Sequence, residues 1–227
     1  MAIQIQGACG DIIEVDGTVY DAVRVTLRPT DYGSLGQYRL SMQSGTMAAG
    51  LAAFAQIFQA RWTDTPEIAL IWGLSIDGMS GGTASFTAGI GYFGMQIVRA
   101  WTVDGSGGTS AVLTGNDQAL RSSMQPSLFG AHGTGVIRIA STAALAAGTS
   151  TVDVQGVGQA YFSVGTVASA NYLPQYCMYG SAAMEEGGNP APIVLSQNEG
   201  VNLVASLPAS GTWKFGVSLS WSEVRSY

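Results

Sequence analysis

The sequence predicts an all-β fold, a sandwich or barrel built from many short strands. In 213–222, apolar residues at odd positions alternate with polar or small residues, which is the period-two pattern of a half-buried strand. The same alternation occurs in 23–28, where Pro29 follows as a stop, and in 201–207. Glycine accounts for 31 of 227 residues, and Gly/Ser clusters separate the apolar runs. Short strands joined by such turns are typical of sandwiches and barrels.

The predicted elements follow one another along the whole chain. In chain order, the predicted strands are 12–15, 18–27, 37–43, 54–62, 68–77, 84–102, 111–114, 135–140, 151–154, 159–167, 192–195, 201–207 and 212–224. The turn residues 197–200 predict that 192–207 forms a hairpin, with 212–224 as the next strand. Two short helices are also predicted. One begins in the Ala/Leu-rich segment 47–55, although Gly50 weakens it, and the other spans 116–124 with Asn116 as its cap.

The domain organisation is predicted to be simple, because no internal repeat and no change in composition marks a linker. Residues 18–227 are expected to form one β domain. Residues 1–17 are expected to form an N-terminal extension. Its Gln, Gly and isolated Ile residues fit either an extended arm that adds a strand to a neighbouring molecule or a frayed terminus.

Targeting and membrane segments are not expected. The N-terminus lacks a basic region followed by a long apolar core, so a secretory signal is not predicted. The uncharged stretches 40–60, 78–98 and 154–184 are each interrupted by polar residues or glycine. None of them forms the apolar span of about twenty residues that a membrane helix needs.

Charged residues are scarce, which restricts the possible functions. Asp, Glu, Lys and Arg make up 11% of the chain, against about a quarter in an ordinary soluble domain. The net charge is −6, and the nine basic residues, of which only Lys214 is a lysine, are scattered. A protein that wraps nucleic acid needs a stripe of basic residues, so nucleic acid is not an expected partner. The predominance of arginine over lysine has two possible explanations. Arginine is better suited to ion pairs at protein interfaces, or the genome favours arginine codons.

Residues for catalysis or metal binding are few. His132 is the only histidine and lies in a glycine-rich segment, and no Gly-x-Ser-x-Gly motif precedes a helical pattern. Cys9 and Cys177 lie far apart without metal-ligand spacing, so two free thiols are expected rather than a disulfide. We therefore predict no catalytic, cofactor-binding or metal-binding residues, no cofactor and no enzyme activity.

Several patterns resemble functional motifs but have simpler explanations. The Gly-x-Gly-x-x-Gly string at 89–94 lies inside a strand pattern, where bulges or close backbone approach explain the glycines. The loop 104–108 lacks ligands at the positions that calcium requires. Glu185 and Glu186 are adjacent and would point to opposite faces of an extended segment.

Aromatic side chains form the last candidate group. A group of aromatic residues fits either core packing or a sugar-stacking platform, with core packing favoured: Trp62, Trp72, Trp101, Tyr172 and Tyr176.

Segments spread over most of the chain carry a resemblance to a known group of proteins. They include PIVLSQNEG at 192–200, GTWKFGV at 211–217 and SWSEV at 220–224. Shorter segments that carry the same resemblance lie at 24–29, 58–62, 69–72, 97–101 and 137–142. In these segments the chain resembles the uncharacterised virion proteins of tailed bacteriophages, a group whose members carry no signature tied to chemistry. No site residue is therefore carried over.

The resemblance implies a structural part of a phage particle. We further hypothesise a capsid decoration or cement protein on the outer surface of the shell, with a jelly-roll-like fold, as a trimer that bridges subunits of the major capsid protein. The β pattern, the scarcity of catalytic residues and the charge balance motivate this hypothesis. The negative charge is unfavourable for a surface that faces packaged DNA, which favours the outside of the shell. The alternative is a receptor- or glycan-binding module of a tail or head fibre. A third hypothesis is a glycan depolymerase that depends on acidic residues.

Overall fold

A computed structural model of the chain describes residues 35–80, 87–115, 118–130, 134–164, 172–180 and 191–225. These residues form strands, turns and loops, and contain no helix. The strands are β1 (Gly36–Gln43), β2 (Met47–Ala48), β3 (Ala55–Trp62), β4 (Ile68–Ser80), β5 (Gly89–Val103), β6 (Thr109–Ser110), β7 (Val136–Ile139), β8 (Thr149–Val152), β9 (Gly158–Val164), β10 (Tyr172–Tyr179), β11 (Ile193–Leu195), β12 (Glu199–Ser206) and β13 (Thr212–Val224).

The strands form two antiparallel sheets whose order is that of a jelly roll. The first sheet has the order β1-β13-β4-β10, and the second contains the order β3-β12-β5-β9. When these eight strands are numbered along the chain, the sheets read 1-8-3-6 and 2-7-4-5. This is the double-sheet arrangement of two Greek keys that defines a jelly roll. The prediction of an all-β, jelly-roll-like sandwich is confirmed, and neither sheet closes into a barrel.

The core lies between the two sheets and is rich in aromatic residues. Strand β13 buries its odd-numbered residues, as the alternating sequence predicts. Trp213 and Trp221, eight residues apart on β13, each join a cluster of rings. Trp213 packs on Phe93 and Phe215, with ring centroids 6.0 and 4.8 Å away. Burial of such large rings supplies much of the hydrophobic stabilisation that holds the sheets together.

Strands β8 and β9 lie end to end along the same edge of β5. Val152 pairs with Val98, and Gly158 pairs with Met95. Between them the loop 153–157 leaves the regular ladder, but two backbone bonds keep it attached to β5. The Asp153 N–H donates to the carbonyl of Ile97 (3.0 Å), and the Val157 N–H donates to that of Met95 (2.9 Å). The loop therefore forms a bulge on the second sheet.

Both helix predictions are wrong for the residues that the structure describes. In 47–55, Met47 pairs with Trp213, and both Met47 and Ala49 are fully buried. In 118–124, the Gln118 carbonyl accepts a hydrogen bond from the Arg39 N–H, which extends the first sheet beyond β1. In both cases pairing with an existing sheet overrides a modest helix propensity.

The predicted hairpin at 192–207 is also wrong, although its turn is present. Strand β11 pairs with β4 in the first sheet, whereas β12 pairs with β3 and β5 in the second. The connection, with Asn198 at φ 62°, carries the chain from one sheet to the other. Local turn chemistry is the same for both outcomes, so it does not determine whether the flanking strands pair with each other.

Two further differences concern strand positions. The predicted strand 111–114 is not formed, and the nearby strand is instead β6, which pairs with β7. Strand β10 was not predicted, because Pro174 interrupts its pattern. Among the described strands it pairs with β4, with a register shift between Leu173 and Tyr176, and edge strands and such irregular positions are where a sheet tolerates proline. The predicted strands 12–15 and 18–27 and the extension 1–17 lie outside the described residues.

Candidate functional site

The outer face of the first sheet carries short polar side chains along its central row. A row formed by Ser41, Ser218, Ser75 and Cys177 crosses the four strands β1, β13, β4 and β10. We call this outer surface of the first sheet the serine face. Ser41 and Ser218 share a hydrogen bond of 2.8 Å between their hydroxyls, so the row is ordered without charged groups.

Neighbouring rows of the serine face mix short and long side chains. Ser220 lies between Arg39 and Gly73, and Gly216 lies between Gln43 and Asp77. Gln175 on β10 donates to the Ser75 hydroxyl at 3.1 Å. The three serines of the central row have few rotamers to lose, so covering that row with another protein costs little conformational entropy.

A groove lies on the outer face of the second sheet, beside the bulge 153–157. Its volume is about 780 Å³. Its floor is the β5–β9 pair, in which Tyr92 lies opposite Tyr161 and Gly94 opposite Gln159. A Cβ atom at position 94 would lie 2.4 Å from the Tyr92 hydroxyl, so glycine there lets the Tyr92 side chain lie along the sheet.

Aromatic rings and amides make up most of the groove's functional groups. The Tyr161 and Tyr92 ring centroids are 5.0 Å apart, and the Phe54 ring meets Tyr92 edge-on at 5.5 Å. Burial, together with the neighbouring Tyr161, raises the pKa of Tyr92, so its phenol stays neutral at pH 7. The complete lining is Phe54, Tyr92, Gln96, Val154, Gln155, Gly156, Val157, Gly158 and Gln159.

An arginine on β5 fixes the start of the bulge. The Arg99 guanidinium contacts the Asp153 carboxylate at 3.0 Å and that of Glu199 at 3.4 Å. The hydrogen bonds and charge of Asp153 raise the pKa of Arg99, as an ion pair does. These charges pair with one another outside the groove lining, and the loop that forms the rim is anchored at its first residue.

A buried carboxylate anchors a loop at one end of the sandwich. Glu223, fully buried on β13, accepts hydrogen bonds from the Ser127 hydroxyl (2.7 Å), the Trp221 indole N–H (2.9 Å) and the Leu128 N–H (3.0 Å). Burial raises the pKa of Glu223, although these three hydrogen bonds act to lower it. The three hydrogen bonds tie the loop 125–130 to the core. The Glu223 carboxylate is fully buried, so it is not accessible to a substrate.

The candidates from the sequence have different outcomes. His132, Glu185, Glu186 and Cys9 lie outside the described residues. Cys177 is a half-buried free thiol that donates to the Tyr179 carbonyl at 3.4 Å, so the expected free thiol is confirmed for Cys177. The glycine string at 89–94 lies inside β5, as predicted.

The loop that begins at Asp104 holds an ion pair. The Asp104 carboxylate binds the Arg61 guanidinium at 2.9 Å. Within the described ranges, no three His, Cys, Asp or Glu side chains lie close enough together to hold a metal ion.

In the same part of the chain, no helix is long and apolar enough to cross a membrane.

The aromatic candidates named from the sequence lie mainly in the core. Trp62 and Trp101 are fully buried, and Tyr176 packs on Phe93 with ring centroids 6.1 Å apart. Trp72 is half-buried and donates to the Ser222 hydroxyl. The side chain of Tyr172 lies outside the described part. Core packing is thus confirmed for the two buried tryptophans.

The aromatic residues of the groove were not predicted. Tyr92 lies within the glycine string, and Tyr161 alternates with the buried Phe162 on β9. An exposed aromatic at alternate strand positions was a usable signal, but the pairing of β5 with β9 was needed to place the two rings together. Comparison with known proteins adds no further assignment: no family model, curated protein or solved structure matches the chain.

Proposed function

We propose that the chain is a non-enzymatic structural component of a tailed-bacteriophage particle. Its specific role is that of a decoration or cement protein on the outer surface of the capsid, where a homotrimer bridges neighbouring copies of the major capsid protein. Nucleic acid and membrane are not among its partners. The resemblance noted in the sequence motivates this role, and the serine face is the observation that carries it.

The serine face supports the proposal because its properties suit protein contact. Its central row crosses four strands and carries three serine hydroxyls and a thiol instead of charged groups. Hydroxyls satisfy their hydrogen bonds equally well with water or with a protein neighbour. Charged residues are depleted at the centre of protein interfaces, and the same depletion holds for the central row of this face. The exposed charged residues Arg39, Asp77 and Lys214 lie in the rows on either side of it.

Particles that lack the chain test the cement role. We expect them to assemble but to release DNA at a lower temperature than complete particles, because the bridging contacts are missing. Purified wild-type chain added back restores the heat resistance. Release at the same temperature with and without the chain would show that the shell does not depend on it.

A matched pair of variants locates the contact. Ser218→Arg places a long charged side chain at the centre of the serine face, whereas Ser163→Arg places the same side chain on the other sheet. In the add-back experiment, we expect Ser218→Arg to bind particles at least about tenfold more weakly, and Ser163→Arg to bind like the wild type. Equal binding of both variants would exclude the serine face as the contact.

A further inference from the structure

An exposed aromatic platform extends from the groove beside the bulge 153–157 to Tyr161, which is not part of the lining but packs on the lining residue Tyr92. Tyr161 is 62% exposed and Phe54 is 60% exposed, and both rings contact Tyr92, which lies between them. Large aromatic residues are normally buried, so two exposed rings that share one neighbour form a distinct apolar surface. The apolar faces of pyranose rings pack on aromatic surfaces of this kind.

Three amide side chains surround this platform. Gln96 follows Tyr92 on the same face of β5, Gln159 pairs with Gly94, and Gln155 lies on the bulge. None of these three amides forms a side-chain hydrogen bond with another described residue. Each amide offers one acceptor and two donors, which is the combination that pairs with adjacent sugar hydroxyls.

Charge in the groove favours a neutral ligand. Among the described residues, no Asp, Glu, Lys or Arg lines it. Arg99 and Asp153, the nearest ionised groups along β5 and the bulge, form a pair with each other. An acidic glycan would find no cation in the groove, and a phosphate or a basic peptide would find no counter-charge either.

We propose that this groove is a binding site for a neutral oligosaccharide. One pyranose ring stacks on Tyr161 at the edge of the groove, and Gln96, Gln155 and Gln159 in the lining bind the hydroxyls of that ring and its neighbour. The site goes beyond the shell role, because it lies on the sheet opposite to the serine face. Oligosaccharide binding by the groove does not depend on whether the chain is located on the shell or on a fibre. The shell role and the binding site can therefore be tested independently.

The test uses an array of neutral and acidic oligosaccharides, followed by calorimetric titration of the strongest ligand. We expect the full-length wild-type chain to bind neutral members and no acidic ones. Tyr161→Ala weakens binding at least about tenfold, because the stacking surface is lost, whereas Tyr161→Phe retains it. Gln159→Ala weakens binding several-fold. Ser163→Ala, on the same face of β9 but beyond Tyr161 and farther from the groove lining, leaves binding unchanged.

Thermal unfolding of each variant accompanies the titration, so that a folding defect is not mistaken for lost contact. Binding to acidic glycans alone, no binding to any member, or equal binding by Tyr161→Ala and the wild type would overturn the proposal. Analytical ultracentrifugation provides a further check. If Tyr161→Ala dissociated an oligomer and left glycan binding unchanged, the groove would be a contact between copies of this chain instead.

Discussion

Replacement of Trp221 by alanine is expected to lower the free energy of unfolding by about 3–5 kcal/mol, as for large aromatic residues removed from a core. The Trp221 ring is almost completely buried, with its centroid 5.4 Å from that of Tyr38 and 5.5 Å from that of Phe129. Its removal leaves a cavity between the two sheets that these rings cannot fill. Urea denaturation of the variant and the wild type measures the difference.

Two control variants separate the causes. Trp221→Phe keeps most of the ring volume but loses the indole N–H that binds Glu223, so we expect a smaller loss than for alanine. Val154→Ala alters a side chain that is 92% exposed, and it is expected to change stability by less than about 0.5 kcal/mol. A loss below about 1 kcal/mol for Trp221→Ala would contradict the packing described for this end of the core.

Glu223→Ala is expected to cost about 3 kcal/mol, because buried donors lose their acceptor. The Leu128 N–H and the Trp221 indole N–H both donate to this carboxylate, and among the described residues neither donates to any other acceptor. Loss of the loop anchor is expected to speed hydrogen exchange at Leu128 and Phe129. Unchanged exchange there would show that the carboxylate does not hold the loop.

The pH dependence of stability tests the same group. Burial raises the pKa of Glu223 above 4.5, so the folded chain holds this proton more tightly than the unfolded chain. Its stabilising contribution is therefore complete below pH 4.5 and is lost as the pH rises through the folded-state pKa. In Glu223→Gln this change is absent. The wild type should thus lose stability relative to Glu223→Gln as the pH rises from 4 to 7, and the opposite slope would contradict the assignment.

Most of the strands were predictable because one face of each sheet is buried. Strand β13 shows this most clearly, since its alternating sequence matches its alternating burial over nearly its whole length. Prediction failed where the outcome depends on distant residues. Asn198 favours a turn, but only the pairing of β11 with β4 and of β12 with β5 separates a hairpin from a crossing between sheets.

The candidate sites were less predictable than the strands. The serine face follows from the even-numbered residues of β13, which the sequence already assigned to the exposed side. The groove requires two further facts, the register that places Tyr92 beside Tyr161 and the bulge between β8 and β9. Neither is encoded in a local pattern, because register depends on pairing between segments about seventy residues apart.

The position and copy number of the chain in an intact particle test the central claim most directly. Quantitative mass spectrometry of purified virions gives the ratio of this chain to the major capsid protein, and antibody labelling in electron micrographs gives its location. The proposed role predicts a fixed ratio, with copies distributed over the outer surface of the shell. Absence from purified virions, or a few copies confined to the tail, would contradict it.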